Sequence, residues 1–188
     1  MTIKRILISA MIMMMAIHVT GQTSSRMVSS KSHIKFFSST PAEDIEANNY
    51  SATSAINTGS GNVVFVVPMQ GFEFEKSLMQ KHFNQKKFLD TKSYPEARLV
   101  AKIINIDKID FSKDGKYDAM VEGELAIRGV TNKIKEKGTV TVKGGMIEAK
   151  SVFNVTLADY GIEFRRGKPS SNIADIVEVT VLAEYQTE

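Results

Sequence analysis

The chain has 188 residues, with 24 Lys and Arg against 21 Asp and Glu, ten Phe, no Trp and no Cys. Without cysteine there can be no disulfide, thiolate metal ligand or cysteine nucleophile, so an exported form would depend on its packed core alone. The length suits a single domain with a real interior.

Lys4 and Arg5 precede an apolar run from Ile6 to Ile17, and Val19-Thr20-Gly21 places small residues before Gln22. This pattern predicts a secretory signal peptide over residues 1–21, cut between Gly21 and Gln22. The run is shorter than the ~18 to 20 residues of a membrane span. The expected product is periplasmic or secreted, with no stable membrane anchor after cleavage. Removing Lys4 and Arg5 lowers the net charge from +3 to +1, a balance that argues against nucleic acid as a partner.

Residues 22–30 are polar and read as a flexible amino-terminal segment, followed by one domain over residues 31–188. Strand signals start at His33-Ile34-Lys35-Phe36, with Ile34 and Phe36 inward, and continue through a weaker Asn- and Ser-rich strand from Ile45 to Asn57. Thr58-Gly59-Ser60-Gly61-Asn62 is a turn, and Val63 to Val67 is an apolar strand ended by Pro68. Gly71 to Pro95 breaks the β pattern. There Leu78, Met79, His82 and Phe83 fall at helical spacing, with Ser77 placed to cap the turn. A further strand is expected from Ala97 to Ile106.

The longest regular pattern runs from Lys116 to Leu157. Tyr117, Ala119, Val121, Gly123, Leu125 and Ile127 alternate with polar neighbours, and so do Ile134, Val140 and Val142. The alternation returns in Ile147, Ala149, Ser151, Phe153, Val155 and Leu157. A period of two marks half-buried antiparallel strands, with breaks expected at Gly129-Val130-Thr131 and Gly144-Gly145. Lys133, Lys135, Lys137 and Lys143 fall on the outward positions, where edge lysines discourage aggregation, and Glu136 falls among the inward ones. Ile176 to Tyr185 supplies the last strand. The count is eight, which predicts an all-β, elongated, eight-stranded antiparallel up-and-down barrel with one short helix-containing crossover. Small inward residues (Ala119, Gly123, Ala149, Ser151) fit an elongated cavity. They equally fit small residues facing large ones in a filled interior.

The motifs Phe72-Glu73-Phe74, Leu78-Met79, His82-Phe83-Asn84, Tyr94-Pro95, Gly123 to Thr131 and Asp159-Tyr160-Gly161-Ile162 together resemble the YceI-like family. That family is described as lipocalin-like, periplasmic or secreted, and polyisoprenoid-binding. The first strand departs from the commonest family form, because Ser30-Lys31 rather than an aspartate precede Ser32-His33. The resemblance implies a lipophilic pore holding an isoprenoid lipid or quinone, with no other cofactor. The expected lining is Phe36, Tyr117, Ala119, Val121, Gly123, Leu125, Phe153 and Val155, with Met79, His82 and Phe83 over the mouth. Arg165, Arg166 or Lys168 would meet a head group. On this reading Gly123→Trp blocks the pore without unfolding the barrel. The sequence is compatible with a homodimer.

No catalytic or metal motif is present. Past the leader the only histidines are His33 and His82, too few for a histidine-based zinc site without cysteine. His82 is the one acid-base candidate. Two alternatives to lipid binding therefore stay open, a small-substrate enzyme using His82 and a structural exported protein with a filled core.

Overall fold

The computed structural model describes residues 26–162 and 173–186. In chain order the strands are β1 (Arg26–Ser39), β2 (Asp44–Asn49), β3 (Thr53–Asn57), β4 (Asn62–Pro68) and β5 (Phe72–Phe74). The helix α1 (Ser77–Asn84) follows, then β6 (Glu96–Ile103), β7 (Gly115–Ile127), β8 (Val130–Lys143), β9 (Met146–Thr156) and β10 (Ile176–Gln186). All pairings are antiparallel, and β1 pairs with β10 to close the sheet on itself.

Ten strand segments make eight barrel walls, because two walls are interrupted. β1 is long enough to pair with β3 at Arg26–Val28 and with β2 at Ile34–Ser39, so β2 and β3 form one wall. The interruption is anchored by Asn49, which is fully buried. Its Nδ2 donates to the Pro68 carbonyl at 2.7 Å, and its Oδ1 accepts the Ser51 amide at 2.8 Å. The single strand expected from Ile45 to Asn57 is thus split where a buried side chain takes over the backbone's hydrogen bonding. In the same way β4 bends through the tight turn Met69–Gly71 into β5, which pairs with β2.

Residues 26–30 are not part of a flexible tail. They enter the sheet, Arg26–Val28 against Ala55–Asn57 and Ser29 against Tyr185, with a bulge between Ser29 and Lys31. The polar composition misled here because Ser29 serves as a half-buried anchor: its hydroxyl accepts the Ser54 amide at 2.9 Å. The residues before Arg26, including the expected leader, lie outside the described residues.

β7, β8 and β9 form the meander read from the sequence. Both of its turns are two residues long with positive φ throughout, Arg128-Gly129 (51° and 77°) and Gly144-Gly145 (57° and 80°). Such turns match the twist of the flanking strands. The first therefore sits one residue earlier than expected, and β8 starts at Val130. β7 pairs with β8 along its whole length, but β8 pairs with β9 only from Gly138↔Ser151 to Lys143↔Met146. Above that pair the two strands part. The tip of the β7–β8 hairpin is instead held by the turn Leu157–Tyr160 after β9. Asn132 Nδ2 donates to the Asp159 carbonyl at 2.7 Å, and the Arg128 guanidinium donates to the Gly161 carbonyl at 2.5 Å.

The interior has two unlike halves. Away from the helix, Ile56, Val140, Ile147, Ala183 and Tyr185 are at most 1% exposed and close the barrel. There the Tyr185 and Ser54 hydroxyls share a short hydrogen bond. Burial pushes the Tyr185 phenol up to about 12. The other half is hollow.

Candidate functional site

The hollow half is a chamber of about 930 Å³ under the crossover. Its walls are the chain ends of the strands that meet there: Ile34 and Phe36 of β1, Phe65 and Val67 of β4, and Leu99 of β6. Leu125 and Ile127 of β7, Phe153 and Val155 of β9, and Val177, Val179 and Val181 of β10 complete them. Every one of these is an inward position of a period-two strand. Leu157, Tyr160 and Ile162, from the turn after β9, add a further apolar side.

The lid is the segment running from β5 through α1. Phe83 is 6% exposed and sits at the centre of an aromatic group. It stacks on Phe36 (5.7 Å between centroids, 13° between planes). It also meets Phe72, Phe74 and Phe88 at 5.4, 5.1 and 5.8 Å, in tilted or edge-on arrangements. These separations are the favourable range for aromatic pairs. The helix is short, so it depends on this packing and on the turn that follows it. Asn84 Nδ2 donates to the Gln80 carbonyl at 3.0 Å, and the Thr91 hydroxyl donates to Asn84 Oδ1 at 2.8 Å. Ser77 does not cap it: Lys76 occupies the capping position with no side-chain cap bond, and Ser77 is the first helical residue.

Among the described residues, polar groups are confined almost wholly to the opening. Glu43, Lys76, His82, Gln85, Lys87 and Arg98 line it beside Leu78. Lys76 Nζ lies 2.6 Å from Glu43 Oε1, and that hydrogen bond raises the lysine's pKa. Among the apolar wall residues named above the only hydroxyl is that of Tyr160, which burial holds above its ordinary range. Ser38, also on the wall, has its hydroxyl taken by the Ala174 amide at 2.9 Å. Among the described residues no three His, Cys, Asp or Glu side chains are grouped to hold a metal ion. No helix there is long and apolar enough to cross a membrane.

Of the residues expected to line a pore, Phe36, Met79, His82, Phe83, Leu125, Phe153 and Val155 border this chamber. Tyr117, Ala119, Val121 and Gly123 do not. They occupy the earlier part of β7, where the barrel is filled. Ala119 is buried in the core, and the Tyr117 hydroxyl donates to the Lys113 carbonyl at 3.0 Å. Gly123 there lies against the backbone of Val100 and Ala101, so the small residue serves close strand packing rather than open space. Arg165, Arg166 and Lys168 lie outside the described residues. The expected set also omitted Phe65, Phe72, Phe74, Val177 and Val179. The apolar run Val63 to Val67, the Phe72-Glu73-Phe74 alternation and the Val177, Val179, Val181 face were signals enough to include them.

The YceI-like domain model matches residues 12–185. Among solved structures, the chain is similar to a polyisoprenoid binding domain from Saccharophagus degradans implicated in plant cell wall breakdown. The identity is 14% and the TM-score 0.74, over 87% of this chain and 99% of that one. It is also similar to BcnA of Burkholderia cenocepacia (18% identity, TM-score 0.66, 81% and 95% covered). A third likeness is to the YCEI protein of Campylobacter jejuni (17%, 0.55, 74% and 82%). No curated protein matches the sequence. At these identities the likenesses establish a shared barrel, and the domain match extends over nearly the whole chain, so the chain belongs to the YceI-like family.

Proposed function

We propose that the protein is a non-catalytic carrier that holds an isoprenoid-type lipid or prenylated quinone, tail in the chamber and polar end at the rim. The observation that carries this reading is the separation of surfaces: an apolar chamber of about 930 Å³ whose charged residues, among the described ones, stand at its exposed opening. That is the layout an amphiphile needs, since tail burial supplies affinity and a few polar groups set orientation. If a ~150 Å³ apolar cavity holds one benzene ring, this chamber admits on the order of 30 carbon atoms. Its size thus favours a medium-length prenyl chain over a very long one. Family membership and the polyisoprenoid binding named for the Saccharophagus domain support the same ligand class. His82 is exposed at the opening, and no ion pair joins it to another of the described residues, which supports a rim residue rather than a general base. Residues 1–21 fit a leader, and we take the carrier to work after export.

Organic extraction of the purified protein, followed by mass spectrometry, is the direct test. Recovery of a stoichiometric prenyl lipid is expected. His82→Ala should keep that lipid. A protein that yields no lipid and binds none when offered would remove the carrier reading.

A further inference from the structure

We propose that the rim segment from Lys76 to Lys92 docks the barrel, mouth first, on an anionic lipid bilayer. The inference rests on the carriage reading above and adds the surface from which the cargo is exchanged. Helical geometry puts Leu78, Lys81 and His82 on one face of α1, at spacings of three and four, while Phe83 points into the chamber. That outer face is the unusual one. Leu78 is 61% exposed although it also borders the chamber, so apolar surface continues from the interior to the outside at this point.

The charge along the segment itself is one-sided, with Glu73 and Glu75 just before it. Residues 76–92 carry five lysines and a single acid, Asp90, whereas residues 22–188 as a whole balance to +1. Lys76 is neutralised by Glu43, but Lys81, Lys86, Lys87 and Lys92 are exposed and form no ion pair among the described residues. Two of the four lysines of β8 differ: Lys135 is paired with Glu122, and Lys133 faces Glu124 across the strands. An exposed leucine among uncompensated lysines, at the mouth of an apolar chamber, suits the interface of a bilayer rich in anionic lipid. Docking mouth first would also let a prenyl tail pass from bilayer to chamber without crossing water.

Flotation with phosphatidylcholine vesicles, with and without about one third phosphatidylglycerol, tests this. Wild type and variants share one amino terminus, so any contribution from it cancels. Wild type should float with the anionic vesicles at low salt and stay behind with the neutral ones. Each lysine near an anionic surface is worth about fivefold in affinity. The variant K81E/K86E/K92E, made at positions that do not border the chamber, should lose on the order of a hundredfold or more. The control K133E/K137E/K143E carries the same charge change on β8 and should float like wild type. Equal loss in both triple variants, or no flotation of wild type, overturns the docking face. Uptake of a fluorescent prenyl alcohol in vesicle-free buffer separates the two readings. Flotation as described without uptake keeps the docking face and removes carriage, whereas uptake without flotation keeps carriage and removes the docking face.

Discussion

Gly123 of β7 lies directly against Ala101 of β6. A Cβ built on Gly123 would fall 2.5 Å from the Ala101 Cβ and would collide with the Val100 carbonyl oxygen. The sequence-based expectation that Gly123→Trp would plug the pore and leave the barrel intact is therefore wrong. Backbone, not open space, faces that position. Gly123→Ala should already destabilise by about 1–3 kcal/mol, the usual cost of overpacking. A urea titration unchanged from wild type would contradict this contact.

The position that can be filled is Leu125, two residues on, which borders the chamber. Leu125→Trp places the added rings in the hollow half. Folding should be kept, with a urea midpoint close to that of wild type, while the lipid recovered by extraction falls several-fold. Full lipid content in this variant would mean that cargo occupies some other part of the molecule.

Phe83 joins the crossover to the barrel through Phe36, Phe72 and Phe74, and packs on Phe88 within the crossover. Phe83→Ala should cost about 3 kcal/mol, the low end for a buried phenylalanine because one side already faces empty volume. The loss should concentrate in the crossover. Proteolytic cleavage between Lys76 and Lys92 should quicken more than cleavage elsewhere, as limited digestion would reveal.

Tyr185 makes stability fall at alkaline pH. Its folded pKa, raised to about 12 by burial, exceeds the unfolded value of about 10. The native state therefore keeps a proton that the unfolded state has lost, and linkage makes the slope of stability with pH negative between those values. The contribution is complete below pH 10 and declines as pH rises toward 12. Tyr185→Phe should flatten this alkaline decline. The same variant should lower neutral-pH stability by about 1–3 kcal/mol, because Ser54 loses its partner in a buried site. Thermal melts across pH 8–12 would read both effects.

The meander was legible because Tyr117 to Leu157 repeats one period for some forty residues, and the glycine pair at 144–145 can hardly do anything but turn. Where a side chain replaces the ladder, as Asn49 does, alternation weakens without announcing a break. The hollow half was legible only in part. Ala119 and Leu125 occupy equivalent places in the β7 pattern, yet one is packed and the other borders open volume. Ala119 shares its core cluster with Tyr185, Ile56 and Ile147, which converge from distant stretches of chain. A local pattern records which way a side chain faces and is silent about what arrives opposite it.

Because Gly138↔Ser151 is the last rung between β8 and β9, the wall has a margin along 131–137 whose outward amides have no neighbouring strand among the described residues. Opening there breaks only the few staples around Asn132 and Arg128, whereas opening the β7–β8, β9–β10 or β1–β10 seam must unzip a long ladder. Deuterium should therefore appear first along that margin, and a cargo too bulky for the mouth would find its least costly side exit at the same place.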